Sequence, residues 1–417
     1  MNLKKLLREM DFSVSAEEMN YLKSETEKIV GLLKKESGRN AEVFVGGSFA
    51  KGTLTKSENY DVDIFVRFSK NKDLSSELEK IIRKVAKAMR LNYERLHGSR
   101  DYFRVMPSKK LTFEIIPVLK IRKVKEAGNV TDLSYFHVNY IRKKLAVGRR
   151  EDVGLAKQFC KALGVYGAES YINGFSGYAL ECLIVYYGSF EKMVGAMTKI
   201  KEKEIIDIER FYRQKSDVLV ELNESKTSGP IVLIDPTWKE RNVLAALNWD
   251  SFKKFQEGAR KVIKKPTREM FLVKKIDVSS LEKFAGKKGA EFVHVRLETD
   301  RQEGDIAGTK LKKFAGFLSR ELEKYFIIMA NEFSYSGGKI ADVYFVVKTR
   351  GEIIRNGPPV KLIREVREFK KRNRRTFVRS GKIFARVKVG FGGAELVEKL
   401  GRSNGVEMGI VKVLLAD

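Results

Sequence analysis

The 417-residue sequence predicts a multidomain α+β chain in three segments: a mixed sheet with helices over 1–145, a mostly helical stretch over 146–260, and an α+β part over 261–417. Three observations predict it. One hydrophobic core rarely serves more than ~250–300 residues, so the length asks for more than one domain. Strand-like runs broken by glycine alternate with helical periodicities in the first segment, whereas the second is dominated by helical patterns. After about residue 261, strands and helices alternate again, as in an α+β module. At 43% hydrophobic, with 26 Phe and 15 Tyr, the chain can bury real cores, which excludes wholesale disorder.

Ser15-Ala-Glu-Glu18 forms a capping box that starts a first helix, and Met19, Leu22, Ile29 and Leu33 give that helix one apolar face. Glu42–Val45 then reads as a short strand, broken by Gly46-Gly47-Ser48, and Asp61–Val66 as a second. A Lys-rich helix near 74–90 precedes two further strands, Tyr102–Val105 and Leu111–Val118, with a turn at Pro107-Ser108. In the middle segment Tyr178–Tyr187 is apolar nearly all round, which predicts a buried helix, and Ile231–Asp235 is a short strand stopped by Pro236. Beyond 261 strands and helices alternate through Glu291–Leu297, Thr309–Lys324, Ala341–Lys348 and Lys382–Val389.

The residues that carry chemistry lie in the first segment. Side chains alternate along a strand, so Asp61 and Asp63 project from one face with Phe65 while Val62, Ile64 and Val66 face the core. Two carboxylates this close repel unless a cation neutralises them, and hard oxygen ligands suit Mg²⁺; paired acids at the solvent edge of a strand are the plainer alternative. Upstream, a strand runs into Gly46-Gly47-Ser48, where backbone N–H groups and a hydroxyl can approach phosphate oxygens, or where a turn simply caps a helix. Glu114 sits alone in the apolar run Leu111-Thr-Phe-Glu-Ile-Ile-Pro-Val118, and burying it there demands a metal or a cationic partner. Phosphate loop, paired acids and third acid, in that order, predict a two-metal phosphoryl-transfer site, with cations ~3.5–4 Å apart.

The charge balance points to a polyanionic partner: 82 Lys+Arg against 54 Asp+Glu give a formal net charge of +28. The densest patch runs from Lys361 to Lys388, where 12 basic residues stand against Glu365 and Glu368, interleaved with Phe369, Phe377 and Phe384. Within it Lys370, Lys371, Arg372, Arg374 and Arg375 are the candidate RNA contacts, a solvated basic helix face being the alternative. No apolar run approaches the ~20 residues of a spanning helix, and the start, Met1-Asn2-Leu3-Lys4-Lys5, has no apolar stretch after its charges. The expectation is a cytoplasmic protein without membrane partners, a monomer or homodimer, with Cys160 and Cys182 as reduced core residues.

The run Val45-Gly46-Gly47-Ser48, with Asp61-Val-Asp63 after it, resembles the DNA-polymerase-β-type nucleotidyltransferases. Gly164-Val-Tyr-Gly-Ala-Glu169, Gly174-Phe-Ser-Gly-Tyr178, Tyr187-Gly-Ser-Phe190, Asp235-Pro236 and Arg241-Asn-Val243 are similar to the archaeal class I CCA-adding enzymes, over the first ~260 residues. Gly357-Pro-Pro-Val360 is the clearest likeness in the later part. The resemblance implies a nucleotidyltransferase catalytic head, a central neck domain completing the nucleotide pocket, and a body and tail that bind tRNA along its acceptor stem and T-arm. It implies CTP and ATP as substrates, and two Mg²⁺ ions held by Asp61, Asp63 and Glu114. Gly47, Ser48 and Lys51 would then lie at the triphosphate loop, Ser134 and His137 near the incoming nucleotide, Lys157 and Tyr166 at triphosphate and sugar, and Arg241 at the base. Two positions depart from the family pattern. The third acid is more often Asp, and the extra methylene of Glu114 displaces its carboxylate by ~1 Å. Lys51 stands where Arg is frequent, which exchanges a bidentate fork for a point charge.

Plainer readings of single residues remain: His137 as a core or cap histidine, Tyr166 as packing under a turn, Lys157 as a snorkelling side chain and Arg241 as a cap after Asp235. Rival functions are a poly(A)- or poly(U)-type terminal transferase, a nucleotidyltransferase acting on small molecules or proteins, and a non-catalytic RNA-binding protein with a degenerate site.

Overall fold

Ser15 accepts a hydrogen bond from Glu18 N–H while the Glu18 carboxylate reaches back to Ser15 N–H, and from this capping box α2 (Ala16–Ser37) runs for 22 residues. It follows a short α1 (Leu3–Arg8) in a computed structural model that describes residues 3–69, 73–98 and 100–416. The chain divides into two compact units, Met1–Lys274 and Lys275–Asp417.

In the first unit β1 (Ala41–Val45), α3 (Gly47–Lys51), β2 (Tyr60–Phe68), α4 (Leu74–Met89), β3 (Tyr93–Leu96), β4 (Tyr102–Ser108) and β5 (Leu111–Leu119) build a five-stranded sheet in the order β1-β2-β5-β4-β3. The β2–β5 pair is parallel and its neighbours are antiparallel, which makes the sheet mixed. The alternation read from the sequence holds. Val62, Ile64 and Val66 are fully buried with Leu22, Ile29 and Leu33 of α2 and Leu78, Ile82 and Val85 of α4, so these two helices cover one face. Phe65 lies on the opposite face with Ile116 and Val118. The turn expected at Pro107-Ser108 lies two residues later, because Ser108 still pairs with Leu111 and only Lys109-Lys110 are free to bend. Strand β3, Tyr-Glu-Arg-Leu, is too short and polar to announce itself; it forms because β4 offers it an open edge.

The rest of this unit contains α5 (Ser134–Lys144), α6 (Arg150–Ala162), α7 (Gly177–Tyr187), α8 (Phe190–Met197), β6 (Glu204–Ile206), α9 (Lys215–Glu221), α10 (Glu224–Thr227), β7 (Ile231–Asp235), β8 (Trp238–Asn242) and α11 (Trp249–Lys264). Its core gathers Phe159, Phe175, Phe190, Phe252, Phe255 and Phe271 with both free, buried cysteines, Cys160 and Cys182. Leu3 and Leu6 of α1 belong to this core and not to that of the five-stranded sheet. The division drawn at residue 260 falls inside α11. Its Phe255, Ala259 and Val262 share one buried face, and Phe271 joins the same core before the unit ends at Lys274.

The second unit contains α12 (Val278–Lys288), β9 (Glu291–Glu298), α13 (Asp305–Glu323), β10 (Phe326–Tyr335), β11 (Ile340–Thr349), β12 (Glu352–Pro359), α14 (Ile363–Arg372), β13 (Thr376–Arg379), β14 (Lys382–Lys388), α15 (Gly393–Asn404) and β15 (Lys412–Ala416). Four antiparallel strands in the order β10-β11-β9-β15 and helices α13 and α15 follow the βαββαβ scheme. Val293, Val295 and Leu297 pack on Leu311, Phe314 and Leu318. A second sheet, β12-β14-β13, and α14 are inserted between β11 and α15. Among the described residues no helix is long and apolar enough to cross a membrane.

Candidate functional site

The acids stand where strand register puts them. In the parallel β2–β5 ladder Asp63 lies opposite Glu114 and Asp61 opposite Thr112, so the three carboxylates form a row on the face that α2 and α4 leave open. Glu114 has a cationic partner that sequence reasoning asked for without naming: Arg104, opposite it on β4, donates to Glu114 Oε1 at 3.2 Å. One guanidinium among three carboxylates leaves the row short of positive charge. Packing around Asp63, reinforced by the Glu114 charge, pushes its carboxyl up to about 7, against the pull of Lys51. Burial and the Asp61 charge push Glu114 up as well, against Arg104. Among the described residues no three His, Cys, Asp or Glu side chains are gathered closely enough to close around one ion; the acids form an open row. Their chemistry, oxygen donors with excess negative charge, is that of a hard divalent cation site.

Gly46-Gly47 brings the chain back against this row. Gly46 N–H donates to Asp63 O at 2.8 Å. Gly47 has φ +58°, and a β-carbon there would lie 1.7 Å from Asp63 Oδ2, so only glycine lets α3 start beside the acid. Ser48 follows, half-buried, its carbonyl accepting from Thr53 N–H at 2.9 Å. Lys51, at the end of α3, turns into the protein: its Nζ donates to Glu181 Oε2 of α7 at 2.5 Å. The other oxygen, Oε1, accepts from Thr53 Oγ1 at 2.5 Å and lies 3.6 Å from Lys157 Nζ, which also donates to Thr53 O at 2.9 Å. Lys157 is 3% exposed, so the snorkelling alternative does not apply. Burial opposes the charge on Glu181, yet the two lysines overcome it and hold the carboxyl below its ordinary value. Burial pushes Lys157 down to about 8.

A second buried carboxylate, Asp235 at the end of β7, joins two further candidates, His137 and Arg241. His137 Nε2 donates to its Oδ2 at 3.0 Å, Arg241 Nη1 donates to the same oxygen at 2.6 Å, and Oδ1 accepts from Thr237 Oγ1 at 2.7 Å and Tyr178 Oη at 3.2 Å. The His137 and Tyr178 rings stack with centroids 4.2 Å apart, and Lys51 Nζ lies 5.6 Å over the Tyr178 ring. Burial opposes the Asp235 charge, but His137 and Arg241 hold its carboxyl far below the usual range, while burial lowers the pKa of His137. Ser134, the first residue of α5, lies one turn before His137 on the same helix face. Tyr166 and the end of Lys157 both border Gly177, at 3.1 Å from Tyr166 Oη and 3.8 Å from Lys157 Nζ to the site of a β-carbon. The turn that carries Tyr166 pairs with Phe175, and Gly174 fits because a β-carbon would lie 2.0 Å from Val165 O.

Of the sequence-derived candidates of the first unit, Gly47 thus abuts Asp63, Lys51 and Lys157 meet at Glu181, and His137 and Arg241 meet at Asp235. Glu181, Asp235, Tyr178 and Arg104 were not singled out for roles. For Glu181 the signal existed: it is a lone acid in an apolar helix, the same argument that singled out Glu114.

In the second unit Lys370, Lys371, Arg372, Arg374 and Arg375 are all exposed on and after α14. Lys371 pairs with Glu368 at 2.8 Å and Arg375 with Glu352 at 3.0 Å. Phe377 and Phe384, expected to interleave with them, stack on each other at 5.5 Å, with Arg386 5.8 Å over the Phe377 ring.

Comparison with known proteins is consistent with this layout. Residues 26–128 match the nucleotidyltransferase domain family, and residues 151–272 match the second domain of tRNA nucleotidyltransferases. The CCA-adding enzyme of Nanoarchaeum equitans is 39% identical over 241 residues, 58% of this chain and 60% of that protein. That of Pyrococcus abyssi is 30% identical over 77% of this chain and 73% of its own, and that of Methanosarcina mazei 32% identical over 79% and 72%. Among solved structures, a cytoplasmic RNA terminal U-transferase superposes with a TM-score of 0.50 at 13% identity, over 66% of this chain and 98% of that one. An RNA terminal uridylyl transferase gives a TM-score of 0.51 at the same identity. At such identity the likeness concerns the fold.

Proposed function

Because the chain belongs to the archaeal CCA-adding enzymes, a family of tRNA nucleotidyltransferases, we propose that it adds C, C and A to the 3′ end of tRNA from CTP and ATP. The observation that carries this reading is the under-neutralised row Asp61, Asp63 and Glu114, with Lys51 and Lys157 supplying positive charge from α3 and α6. In the reaction the tRNA 3′-oxygen attacks the α-phosphorus, the bond to the β-phosphate oxygen breaks, and pyrophosphate leaves. The chain's work is positioning and charge neutralisation. Lys51, Lys157 and the N–H groups of Gly47 and Ser48 hold the triphosphate; His137, Tyr178 and Arg241 flank the nucleoside; Glu114, steadied by Arg104, faces the incoming 3′-hydroxyl and helps take its proton. Asp61, Asp63 and Glu114 would hold Mg²⁺, which when bound offsets the charge that develops on the phosphoryl oxygens. The exposed basic residues of α14 and its flank grip the acceptor stem and T-arm by phosphate charge and A-form shape.

The test is nucleotide addition to a tRNA transcript that lacks its CCA, with Mg²⁺ and labelled CTP or ATP, resolved at single-nucleotide length. Addition of C, C and A with a clean stop is expected. Open-ended tailing would instead assign a terminal transferase of the same fold, and no addition with Mg²⁺ or Mn²⁺ would leave an RNA-binding protein.

A further inference from the structure

Glu181 is fully buried, and both of its oxygens are used. Oε2 faces Lys51 from α3; Oε1 faces Thr53 and Lys157, the latter from α6. Three segments far apart in sequence therefore meet on one carboxylate, and the two cations it holds are those that the proposed reaction sets against a triphosphate. We propose that Glu181 is a positioning residue: its carboxylate fixes the Lys51 and Lys157 ammonium groups at the place where the triphosphate of the incoming nucleotide lies. The inference rests on the nucleotidyl-transfer reading above and deepens it.

Three physical points support it. Two lysines against one glutamate leave a surplus positive charge in a desolvated place, which suits a polyanion and not a self-satisfied structural pair. Without Glu181 the two ammonium groups would repel each other and bear the full penalty of burial, and Lys157, already lowered to about 8 by burial and by the Lys51 and Lys161 charges, would lose its proton near neutral pH. Lastly, the cluster sits at the C-terminal end of a single helical turn whose first residue, Gly47, abuts Asp63, so Glu181 fixes the far end of the element that carries the phosphate loop.

The measurement is a comparison of Glu181→Gln, Glu181→Asp and Thr53→Val with the unmodified chain, by CTP titration calorimetry and by steady-state addition to tRNA lacking CCA. For Glu181→Gln the nucleotide KM and the CTP dissociation constant are expected to rise about tenfold or more, with a smaller change in kcat at saturating nucleotide and little change in the KM for tRNA. Glu181→Asp, which keeps the charge on a shorter arm, should recover part of the loss. Thr53→Val should show a weaker form of it, and it keeps the test open if Glu181→Gln does not fold. Folded variants whose CTP affinity equals that of the unmodified chain overturn the proposal, as does a parallel loss of nucleotide affinity, tRNA affinity and melting temperature. An unmodified chain that neither binds CTP nor extends tRNA overturns the functional reading together with this one; unchanged constants in an active enzyme overturn this one alone.

Discussion

The strand-face acids and the buried acids of the same unit solve opposite electrostatic problems. Asp61, Asp63 and Glu114 stand in a row with one guanidinium between them, and the carboxyls of Asp63 and Glu114 are pushed upward. Glu181 and Asp235 lie deeper, yet both are held below the ordinary range, because each meets two basic side chains: Lys51 and Lys157 in one case, His137 and Arg241 in the other. Depth alone would rank them the other way. The balance of partners, more than burial, therefore decides which carboxylates stay open to an added cation and which serve as fixed anchors. The first set can take part in a reaction; the second can only organise the groups that do.

Removing an acid from the open row should have the largest effect. Asp63→Ala should lower nucleotide addition by about a thousandfold or more while filter binding of tRNA persists. Equal loss of both would mean that the row is structural, and the contrast with the anchors would vanish.

Next in size is the Asp235 anchor. Asp235→Asn leaves His137 and Arg241 without their shared charge, and removing one partner of a buried ion pair costs about 3–5 kcal/mol. A fall of about ten- to a hundredfold in kcat/KM for nucleotide should accompany the lower melting temperature. The sign with pH follows from the direction of the shift. Since the folded value lies below the unfolded value of about 3.8, the contribution of Asp235 is whole above that value and drains away as pH falls beneath it. Melting curves of the two proteins should therefore converge in acid; curves that stay parallel below pH 4 would refute the anchor.

Smaller still is the effect of Lys157. Its ammonium, held at about 8 by burial, is lost as pH rises through that value, so kcat/KM for nucleotide should fall above pH 8, by roughly tenfold at pH 9. Glu181→Gln should move that fall to lower pH, because the counter-charge that raises the pKa is gone. A profile flat to pH 10 would show that the ammonium is not used.

The smallest expected effect lies in the second unit, where the charges are exposed and screened. Replacing Lys370, Arg372 and Arg374 by Ala should weaken tRNA binding and flatten the plot of log K against log[salt] by about 0.7–0.9 for each phosphate that is no longer neutralised. An unchanged slope would remove these residues from the interface.

What was legible in the sequence was what neighbouring residues settle between themselves. The period-two alternation put Asp61 and Asp63 on one face and Val62, Ile64 and Val66 in the core, and the Ser15–Glu18 box marked the start of α2. Glycine after a strand located the loop at Gly46-Gly47, and the lone Glu114 announced that it needed a partner. These signals are local: they depend on backbone period, side-chain reach over three or four residues, and the absence of a β-carbon. The resemblance supplied Lys157, Tyr166, His137 and Arg241 as candidates, but not what holds them.

What holds them is settled in three dimensions. Lys51 meets Glu181 across 130 residues and His137 meets Asp235 across 98, separations over which no periodicity carries information. Whether an acid in an apolar helix is a fault, a ligand or an anchor depends on which cations the rest of the chain brings to it. Local periodicity was enough to say where the acids of the row face. The packing of α3, α5, α6, α7 and β7 was needed to say which acids were already neutralised, because charge balance inside a protein is a property of its contacts in space.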